Sequence, residues 1–252
     1  MSYEHLLYEE RDHVARISFN RPASRNAWNV PLVRELMTAV RRANAAEDVR
    51  VILITGEGEV YSAGADIKAP REPKDANGRS PNPSTLTMGQ GDDNWLKLLS
   101  EGKPTIIAVN GPAVGLGATH TLCGDIRVAA ASASFSFPFV RLGAMPECGS
   151  TALLGRLIGF GRAMDLCLRA GKVDAEEALR IGLVTAVYPD DVFHDEAMKL
   201  AARIAEFPAL QVKLSKQLLW DNAAEFDADA IMRRESSVFI EMLRAVKREK
   251  PL

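Results

Sequence analysis

Two short runs of apolar, largely β-branched residues constrain the fold of this 252-residue chain most strongly. Residues 51–55 have the sequence VILIT and residues 105–109 have the sequence TIIAV, without alternation between apolar and polar positions. A strand that is apolar on both faces is typical of a parallel sheet that is covered on both sides. The two runs therefore predict an α/β fold rather than an all-helical or all-β one.

Strand and helix signals alternate around these runs. Further strands are predicted over residues 13–20, 126–128 and 134–137. Asn29 is the predicted N-cap of a helix, because Pro31 follows it and apolar residues recur at helical spacing from Leu32 to Val40. Asp174 is predicted to cap another helix, which should end near Gly182.

The chain is predicted to have two parts. Residues 1–190 carry the strands, whereas residues 191–252 carry only helical signals, with a break at Pro208. Residues 69–94 are rich in Pro, Gly, Asp and Ser. A long polar segment of this kind is interpreted as a lid over a site.

Composition argues against several classes of partner and location. The formal net charge is −2 and the pI is about 6.1, so no nucleic-acid or anionic membrane surface is expected. No apolar run approaches the roughly 20 residues of a membrane span, and the mixed-charge N-terminus does not resemble a signal peptide. Cys123, Cys148 and Cys167 lack metal-ligand spacing and are expected to be reduced thiols. A cytoplasmic location without a metal site is therefore expected.

Glycine-bearing turns follow the two apolar runs. Gly56 and Gly58 precede the segment 61–67, and the segment 110–117 (NGPAVGLG) leads into a predicted helix. Glycines often do no more than allow a turn, but small residues also let a ligand approach backbone N–H groups. A helix that begins near Gly117 would also direct its free N–H groups toward that ligand. Two such turns predict an anion hole made from two backbone amides.

Five segments, in order along the chain, resemble motifs of the crotonase (enoyl-CoA hydratase/isomerase) family. They are residues 20–27 (NRPASRNA), 62–67 (SAGADI), 103–111 (KPTIIAVNG), 123–128 (CGDIRV) and 175–184 (AEEALRIGLV). The resemblance implies a crotonase-like (ClpP/crotonase) spiral of ββα units with a helical C-terminal region that forms homotrimers, often paired into hexamers. It also implies an acyl-CoA thioester as substrate. Coenzyme A then enters as part of the substrate, and no separate cofactor is expected.

The resemblance also assigns an oxyanion hole and a set of contacts. The oxyanion amides correspond to Ala65 and Leu116, and each such donor contributes about 3–4 kcal/mol to the transition state in favourable cases. Leucine replaces a glycine common in hydratases, at little cost because only its amide takes part. Arg25 and Lys68 are expected near the CoA phosphates, and Asp66 in a structural or purine-contacting role. The expected substrate-binding positions are Arg25, Ala27, Ala63, Asp66, Ile67, Lys68, Gly115, Thr119, Pro138 and Phe139.

Acidic residues distinguish the reactions of this family. Its hydratases carry two glutamates, at positions that correspond to Thr119 and Phe139 here. Threonine and phenylalanine cannot supply the acid–base pair that activates water and protonates carbon. Ordinary hydratase activity is therefore not expected.

Glu147 is the predicted catalytic residue. Its surroundings, residues 138–151 (PFVRLGAMPECGST), resemble the single-glutamate stretch of monofunctional Δ3,Δ2-enoyl-CoA isomerases. There one carboxylate takes a proton from C2 and returns it to C4. Met145, Cys148 and Phe139 are expected to raise the pKa of Glu147 by desolvation. Alternatively, Glu147 only stabilises the start of a helix over 149–158.

Three functions stay open from the sequence. The first is a Δ3,Δ2-enoyl-CoA isomerase, and the second is another crotonase reaction: hydratase-like, dienoyl isomerisation, thioester hydrolysis or C–C bond cleavage. The third is a non-catalytic CoA-binding or RNA-binding relative that keeps the scaffold, although the charge gives RNA binding no support. Two further polar residues are predicted to be structural, His120 beside the pocket-facing Thr119, and Asp125 as a turn or cap residue.

Overall fold

The computed structural model describes residues 2–69, 73, 82–83 and 93–249, with the backbone alone for 247–249. The predicted lid lies mostly outside these residues, at 70–72, 74–81 and 84–92. The described strands are β1 Leu6–Arg11, β2 Val14–Phe19, β3 Val51–Gly56, β4 Thr105–Val109, β5 Pro112–Val114, β6 Ile126–Ala130, β7 Ser134–Ser136, β8 Lys172–Asp174 and β9 Ala186–Tyr188.

These strands form two sheets. The larger sheet has the order β1-β2-β3-β4-β6-β9, in which only the β1–β2 pair is antiparallel. The smaller sheet has the order β5-β7-β8, with β5 parallel and β8 antiparallel to β7. The parallel core of the larger sheet confirms the α/β prediction.

Helices follow or connect most of the strands. The described α-helices are α1 Val30–Ala45, α2 Trp95–Ser100, α3 Leu116–Thr119, α4 Ser150–Ile158, α5 Phe160–Leu168, α6 Ala175–Arg180, α7 Phe193–Ala205, α8 Ala209–Asn222 and α9 Ala228–Glu249. Among them, none has the length and apolar character that crossing a lipid bilayer requires.

The centre of the larger sheet is apolar on both faces. Every residue of β3 and of β4 is buried, and because successive side chains of a strand point to opposite faces, both faces must be covered. Helix α1 buries its predicted apolar positions, and α7 packs against β2, β3, β4 and β6. The residues of α7 that face the core recur every four positions and are Phe193, Ala197, Ala201 and Ala205.

The predicted helix boundaries are confirmed where side chains cap them. Asn29 Oδ1 accepts a hydrogen bond of 2.9 Å from Leu32 N, one turn into α1. Asp174 Oδ1 accepts one of 2.8 Å from Glu177 N in α6. Pro208 directly precedes α8, which accounts for the predicted break.

The sequence analysis did not predict strand β1. Its residues carry several charges and are mostly exposed, with only Leu6 buried. The strand lies at the edge of the sheet, where charged side chains are common and apolar alternation is weak.

Helix α8 is attached to the core through a buried ion pair. Lys216 Nζ lies 2.8 Å from Asp125 Oδ2 and donates to the carbonyls of Leu99 and Lys103. Asp125 also accepts hydrogen bonds of 2.7 Å from the Trp220 indole and from a backbone amide of β4. Asp125 is therefore an attachment point for the tail rather than a simple turn residue. Burial lowers the pKa of Lys216, and the carboxylate of Asp125 opposes this shift.

The predicted division at residue 190 stays a prediction. The last strand, β9, ends at Tyr188, and only helices follow it in the described residues. The first of these, α7, nevertheless has its apolar face in the main core.

Candidate active site

The segment of residues 62–66, here called the central segment, is bonded to residues 25–28 along one side. Ala63 N donates to Arg25 O at 2.9 Å. Trp28 N donates to Gly64 O at 2.8 Å, and Asp66 N donates to Trp28 O at 2.8 Å. These bonds form a short parallel bridge around Ala65. Because Ala65 lies between the two residues that face Trp28, its own N–H points to the opposite side of the central segment.

The opposite side of the central segment pairs with residues 112–116. Ser62 N donates to Pro112 O at 3.1 Å, and Val114 N donates to Ser62 O at 2.9 Å. Gly64 allows close approach here, since a Cβ on it would lie 2.6 Å from Val114 O and 3.7 Å from Leu116 N. Gly64 also has a φ of +87°, which favours glycine.

The amide of Leu116 is available at the start of α3. Leu116 is the first residue of this helix, so its N–H has no acceptor within the helix. Gly115 precedes it with a φ of 55° and a ψ of −121°, a conformation that aims the chain into the turn of α3. The backbone therefore presents the two amides predicted as an oxyanion hole from neighbouring segments.

Two buried asparagines hold the turn that leads into the central segment. Asn26 Nδ2 donates to Glu57 O at 2.9 Å and to Val60 O at 2.8 Å. Asn110 Nδ2 donates to Gly58 O at 2.7 Å, and its Oδ1 accepts from a backbone amide of β3. Sequence reasoning missed these roles, although both asparagines belong to segments that resemble family motifs.

Ala65 and Leu116 both line a cavity of about 1080 Å³. Every predicted site residue except Thr119 lines it, namely Glu147, Ala65, Leu116, Arg25, Ala27, Ala63, Asp66, Ile67, Lys68, Gly115, Pro138 and Phe139. The additional lining residues, which were not among the predicted site residues, are Arg21, Ala23, Ser24, Gly64, Ala69, Val114, Leu142, Ala144 and Met145. Residues far apart in the chain therefore meet at one site.

Thr119 lies behind the cavity wall rather than on it. Its side chain is completely buried, and its hydroxyl donates to Gly115 O at 3.3 Å and to Leu116 O at 3.4 Å. A threonine in a helix commonly bonds back to the preceding turn in this way. The expected substrate contact of Thr119 is corrected accordingly.

Asp66 uses its carboxylate to shape the rim of the cavity. Its Oδ2 lies 3.2 Å from Arg21 Nη2, and its Oδ1 accepts hydrogen bonds of 3.1 Å from the amides of Lys68 and Ala69. Arg21 also donates to the carbonyl of Ala27. Of the two roles predicted for Asp66, these contacts favour the structural one and add Arg21 as its partner, and the purine contact stays a prediction.

Glu147 lies in a turn with unusual backbone conformations. Cys148 and Gly149, which follow it, have φ values of 57° and 74°, and the carbonyl of Glu147 accepts a hydrogen bond of 3.0 Å from Ser150 N at the start of α4. Its side chain is half-buried. Of the apolar neighbours expected around it, Cys148 and Phe139 are buried, whereas Met145 is 77% exposed.

A thiol connects this turn to the helical segment that begins at Leu116. Cys123 Sγ donates to the carbonyl of Cys148 at 3.3 Å. Cys123 ends the 3₁₀ segment His120–Cys123, which continues directly from α3.

All three cysteines are free thiols, with Cys123 and Cys148 buried and Cys167 half-buried. Within the described ranges, no three His, Cys, Asp or Glu side chains are grouped so that they could hold a metal ion.

His120 is completely buried and does not line the cavity. Its Nε2 lies 2.9 Å from the Tyr61 hydroxyl. Burial lowers the pKa of His120 to about 3, because an apolar environment disfavours the charged imidazolium. The ring is therefore neutral near pH 7, in agreement with the predicted structural role.

Comparison with known proteins places this site in a family. The enoyl-CoA hydratase/isomerase family profile matches residues 9–250. A probable enoyl-CoA hydratase of Mycobacterium bovis is 36% identical over 244 residues, which cover 95% of this chain and 86% of the relative. A crotonyl-CoA hydratase of Syntrophomonas wolfei is 35% identical over 240 residues, with 95% and 90% covered.

Solved structures agree with the sequence relatives. A putative enoyl-CoA hydratase from Thermobifida fusca, in complex with CoA, has a TM-score of 0.83 and 30% identity, with 97% of this chain and 95% of that chain covered. An enoyl-CoA hydratase/isomerase from Pseudoalteromonas atlantica has a TM-score of 0.76 and 34% identity, with 95% and 92% covered. Together with the crotonase-type fold and the paired amides, these matches show that the chain belongs to the enoyl-CoA hydratase/isomerase family.

Proposed function

We propose that this protein is a Δ3,Δ2-enoyl-CoA isomerase in which Glu147 is the single acid–base residue. The observation that carries the proposal is the composition of the cavity lining. Glu147 lines the cavity together with Ala65 and Leu116. At the two positions where hydratases of the family carry glutamates, this chain has an apolar wall residue, Phe139, and a buried hydroxyl, Thr119.

In the proposed reaction the amides of Ala65 and Leu116 donate hydrogen bonds to the thioester oxygen of a 3-enoyl-CoA. The Glu147 carboxylate removes a proton from C2, and the electron pair moves into an enolate whose negative charge the two amides stabilise. The double bond then shifts as Glu147 returns the proton to C4, which gives the conjugated 2-enoyl-CoA. The reaction consumes no water and needs no second acid, cofactor or metal.

Phe139 is the lining residue that argues most directly against hydratase chemistry. Its side chain is 5% exposed and lines the cavity where a hydratase would hold a carboxylate. An apolar ring at this place offers no proton and no hydrogen bond to a water molecule. This feature favours proton transfer within the substrate, even though several relatives are named hydratases.

Coenzyme A is proposed to lie across the rim that carries Arg25 and Lys68. Both side chains are exposed at the cavity mouth, where cations would meet the phosphates of CoA. A Thermobifida fusca relative was solved in complex with CoA, which supports CoA as the ligand. Ile67, which is 94% exposed, adds an apolar surface beside the two cations.

The proposal is tested by assaying two conversions with the purified protein. We expect 3-enoyl-CoA to be converted to 2-enoyl-CoA, and crotonyl-CoA hydration to be at least about 100-fold slower, since one acid–base group of the pair is worth roughly that much. Efficient hydration of crotonyl-CoA without isomerisation would contradict the assignment. Turnover of neither substrate, with CoA binding retained, would favour another crotonase reaction or a binding scaffold.

We also propose a cytoplasmic homotrimer or hexamer that binds neither nucleic acid nor membranes. The formal net charge of −2 is the reason to expect neither nucleic acid nor an anionic membrane as a partner. The reason for the oligomer is the apolar surface on and between α8 and α9, where large side chains are exposed in the single chain. They are Leu219, Phe226, Met232, Phe239, Ile240 and Leu243. Light scattering at micromolar concentration should give the mass of three or six chains, and a stable monomer would contradict this proposal.

A further inference from the structure

His120 lies at the centre of a buried aromatic cluster directly behind the oxyanion side of the cavity. The ring centroid of His120 is 4.5 Å from that of Trp28, 5.5 Å from Tyr61 and 5.9 Å from Trp95. Phe19 completes the described cluster at 5.8 Å. The side chain of His120 cannot touch a substrate in the cavity because none of it is exposed.

Two of these partners, Trp28 and Tyr61, adjoin the central segment, which carries the proposed donor Ala65. Trp28 bonds to the central segment on either side of Ala65, through Gly64 O and Asp66 N. Tyr61 directly precedes the central segment, and its ring is nearly parallel to that of His120, with an interplanar angle of 7°. A shift of the His120 ring would therefore press on both ends of this segment.

The backbone of His120 is bonded to Leu116, the residue that carries the second proposed donor. Its N–H donates to Leu116 O, which closes the single turn of α3. Its carbonyl accepts a hydrogen bond of 3.3 Å from the Trp95 indole. His120 thus contacts α3, which begins at Leu116, through its main chain. Through its side chain it contacts Tyr61 and Trp28, which adjoin the central segment that contains Ala65.

We propose that His120, through its hydrogen bond to Tyr61, is a positioning residue that fixes the separation between the amides of Ala65 and Leu116. The inference rests on the proposed use of these amides as an oxyanion hole. Both groups stay uncharged, since burial keeps His120 neutral and raises the pKa of Tyr61 well above its usual value. Among the described residues, the Tyr61 hydroxyl is the one hydrogen-bond partner of the buried His120 ring, through Nε2, whereas Nδ1 has none, so this single bond specifies how the two segments are arranged.

A set of three variants separates an effect on the position of the two amides from an effect on the stability of the fold. Tyr61→Phe and His120→Phe each remove the hydrogen bond but keep an aromatic ring, and each leaves one buried polar group without its partner. The double variant removes both polar groups, so much of the lost thermal stability should return. If the bond fixes the oxyanion hole, turnover should not return with it.

We expect kcat to fall about tenfold in each single variant and to stay about tenfold low in the double variant, because small misplacements in an active site reduce rates steeply. The dissociation constant for free CoA, which has no thioester oxygen, should change less than twofold. A double variant that regains both stability and kcat would show that the pair only stabilises the fold.

A second measurement does not depend on turnover. Isotope-edited infrared spectroscopy with [1-¹³C]butyryl-CoA reports the stretching frequency of the bound thioester carbonyl, which decreases when hydrogen-bond donors polarise it. We expect a lower frequency on the wild-type protein than in water, and a smaller decrease in all three variants. Equal decreases in wild type and variants, or none in wild type, would overturn the proposal. Because butyryl-CoA has no double bond, this readout is independent of whether the protein is an isomerase.

Discussion

The two sides of the cavity are built in different ways. On the side that carries Ala65 and Leu116, here called the oxyanion side, the proposed functional groups are main-chain amides, and hydrogen bonds between three segments hold that backbone in place. On the Glu147 side the proposed functional group is the side chain of Glu147, in a turn where the next two residues have positive φ values. One side therefore depends on how close backbones approach, and the other on the chemical identity of one residue.

This difference predicts how substitutions act. On the oxyanion side most side chains can change without loss of the donor, provided that the backbone stays in place. Only positions that force the segments apart should matter there. On the Glu147 side a change of one functional group should abolish the chemistry while the fold survives.

Glu147→Gln tests the side-chain half of the comparison and should have the largest effect. The amide keeps the size and polarity of the carboxylate but cannot accept the C2 proton. We expect isomerisation to fall by at least about 10²–10⁴-fold, with CoA binding nearly unchanged by calorimetry.

Glu176→Gln is the matched control for this change. Glu176 is an exposed carboxylate in the first turn of α6 and does not line the cavity. It should leave turnover within about twofold of wild type. Near-full turnover of Glu147→Gln on a confirmed substrate would assign the proton transfer to another group.

Gly64→Ala tests the backbone half. The new Cβ would lie 2.6 Å from Val114 O, so the segments that carry the two amides must separate. We expect a decrease of about 10–100-fold in kcat, by loss of oxyanion geometry. Gly159→Ala is the control, because Gly159 has a similar φ of +84° but no atom within 4 Å of the added Cβ. It should reduce stability without reducing kcat, and equal losses of kcat in both variants would refute the geometric explanation.

The buried imidazole behind the oxyanion side should make stability depend on pH. His120 has a pKa of about 3 in the folded chain and an ordinary value of 6.5 when exposed. Between these values only the unfolded chain binds the proton, so the free energy of unfolding should decrease as the pH falls from 6.5. This group alone can change the free energy of unfolding by up to about 1.4 kcal/mol per pH unit, which is a tenfold change in the unfolding equilibrium constant.

Urea unfolding from pH 7 to pH 4.5 measures this dependence. The Tyr61→Phe/His120→Phe variant lacks the titrating group, so its stability should fall less steeply over the same range. Parallel curves for the two proteins would show that His120 is not the source.

Thr119→Ala should have the smallest effect. The hydroxyl bonds only to carbonyls of its own turn among the described residues, at 3.3 and 3.4 Å. We expect a loss of at most about 1 kcal/mol in stability and less than threefold in kcat, measured by urea unfolding and the isomerase assay. A loss above 100-fold would place this hydroxyl in contact with substrate and weaken the contrast between the two sides.

The sequence was sufficient for the parallel core and for most cavity residues. Uninterrupted apolar runs predicted β3 and β4, since an entirely apolar strand must be covered on both faces. Capping side chains located the starts of α1 and α6. The edge strand β1 was missed because exposed, charged positions carry little pattern.

Residue types by themselves determined which chemistry is available: two small-residue turns for backbone donors, one glutamate after Pro146, and no glutamate at positions 119 and 139. Only the tertiary structure decided which of these groups meet. It placed Thr119 behind the wall, paired Asp66 with Arg21, and packed the His120 ring between the elements of both amides. These outcomes depend on contacts between residues distant in the chain, and such contacts arise from packing around a shared core, which local sequence patterns do not encode.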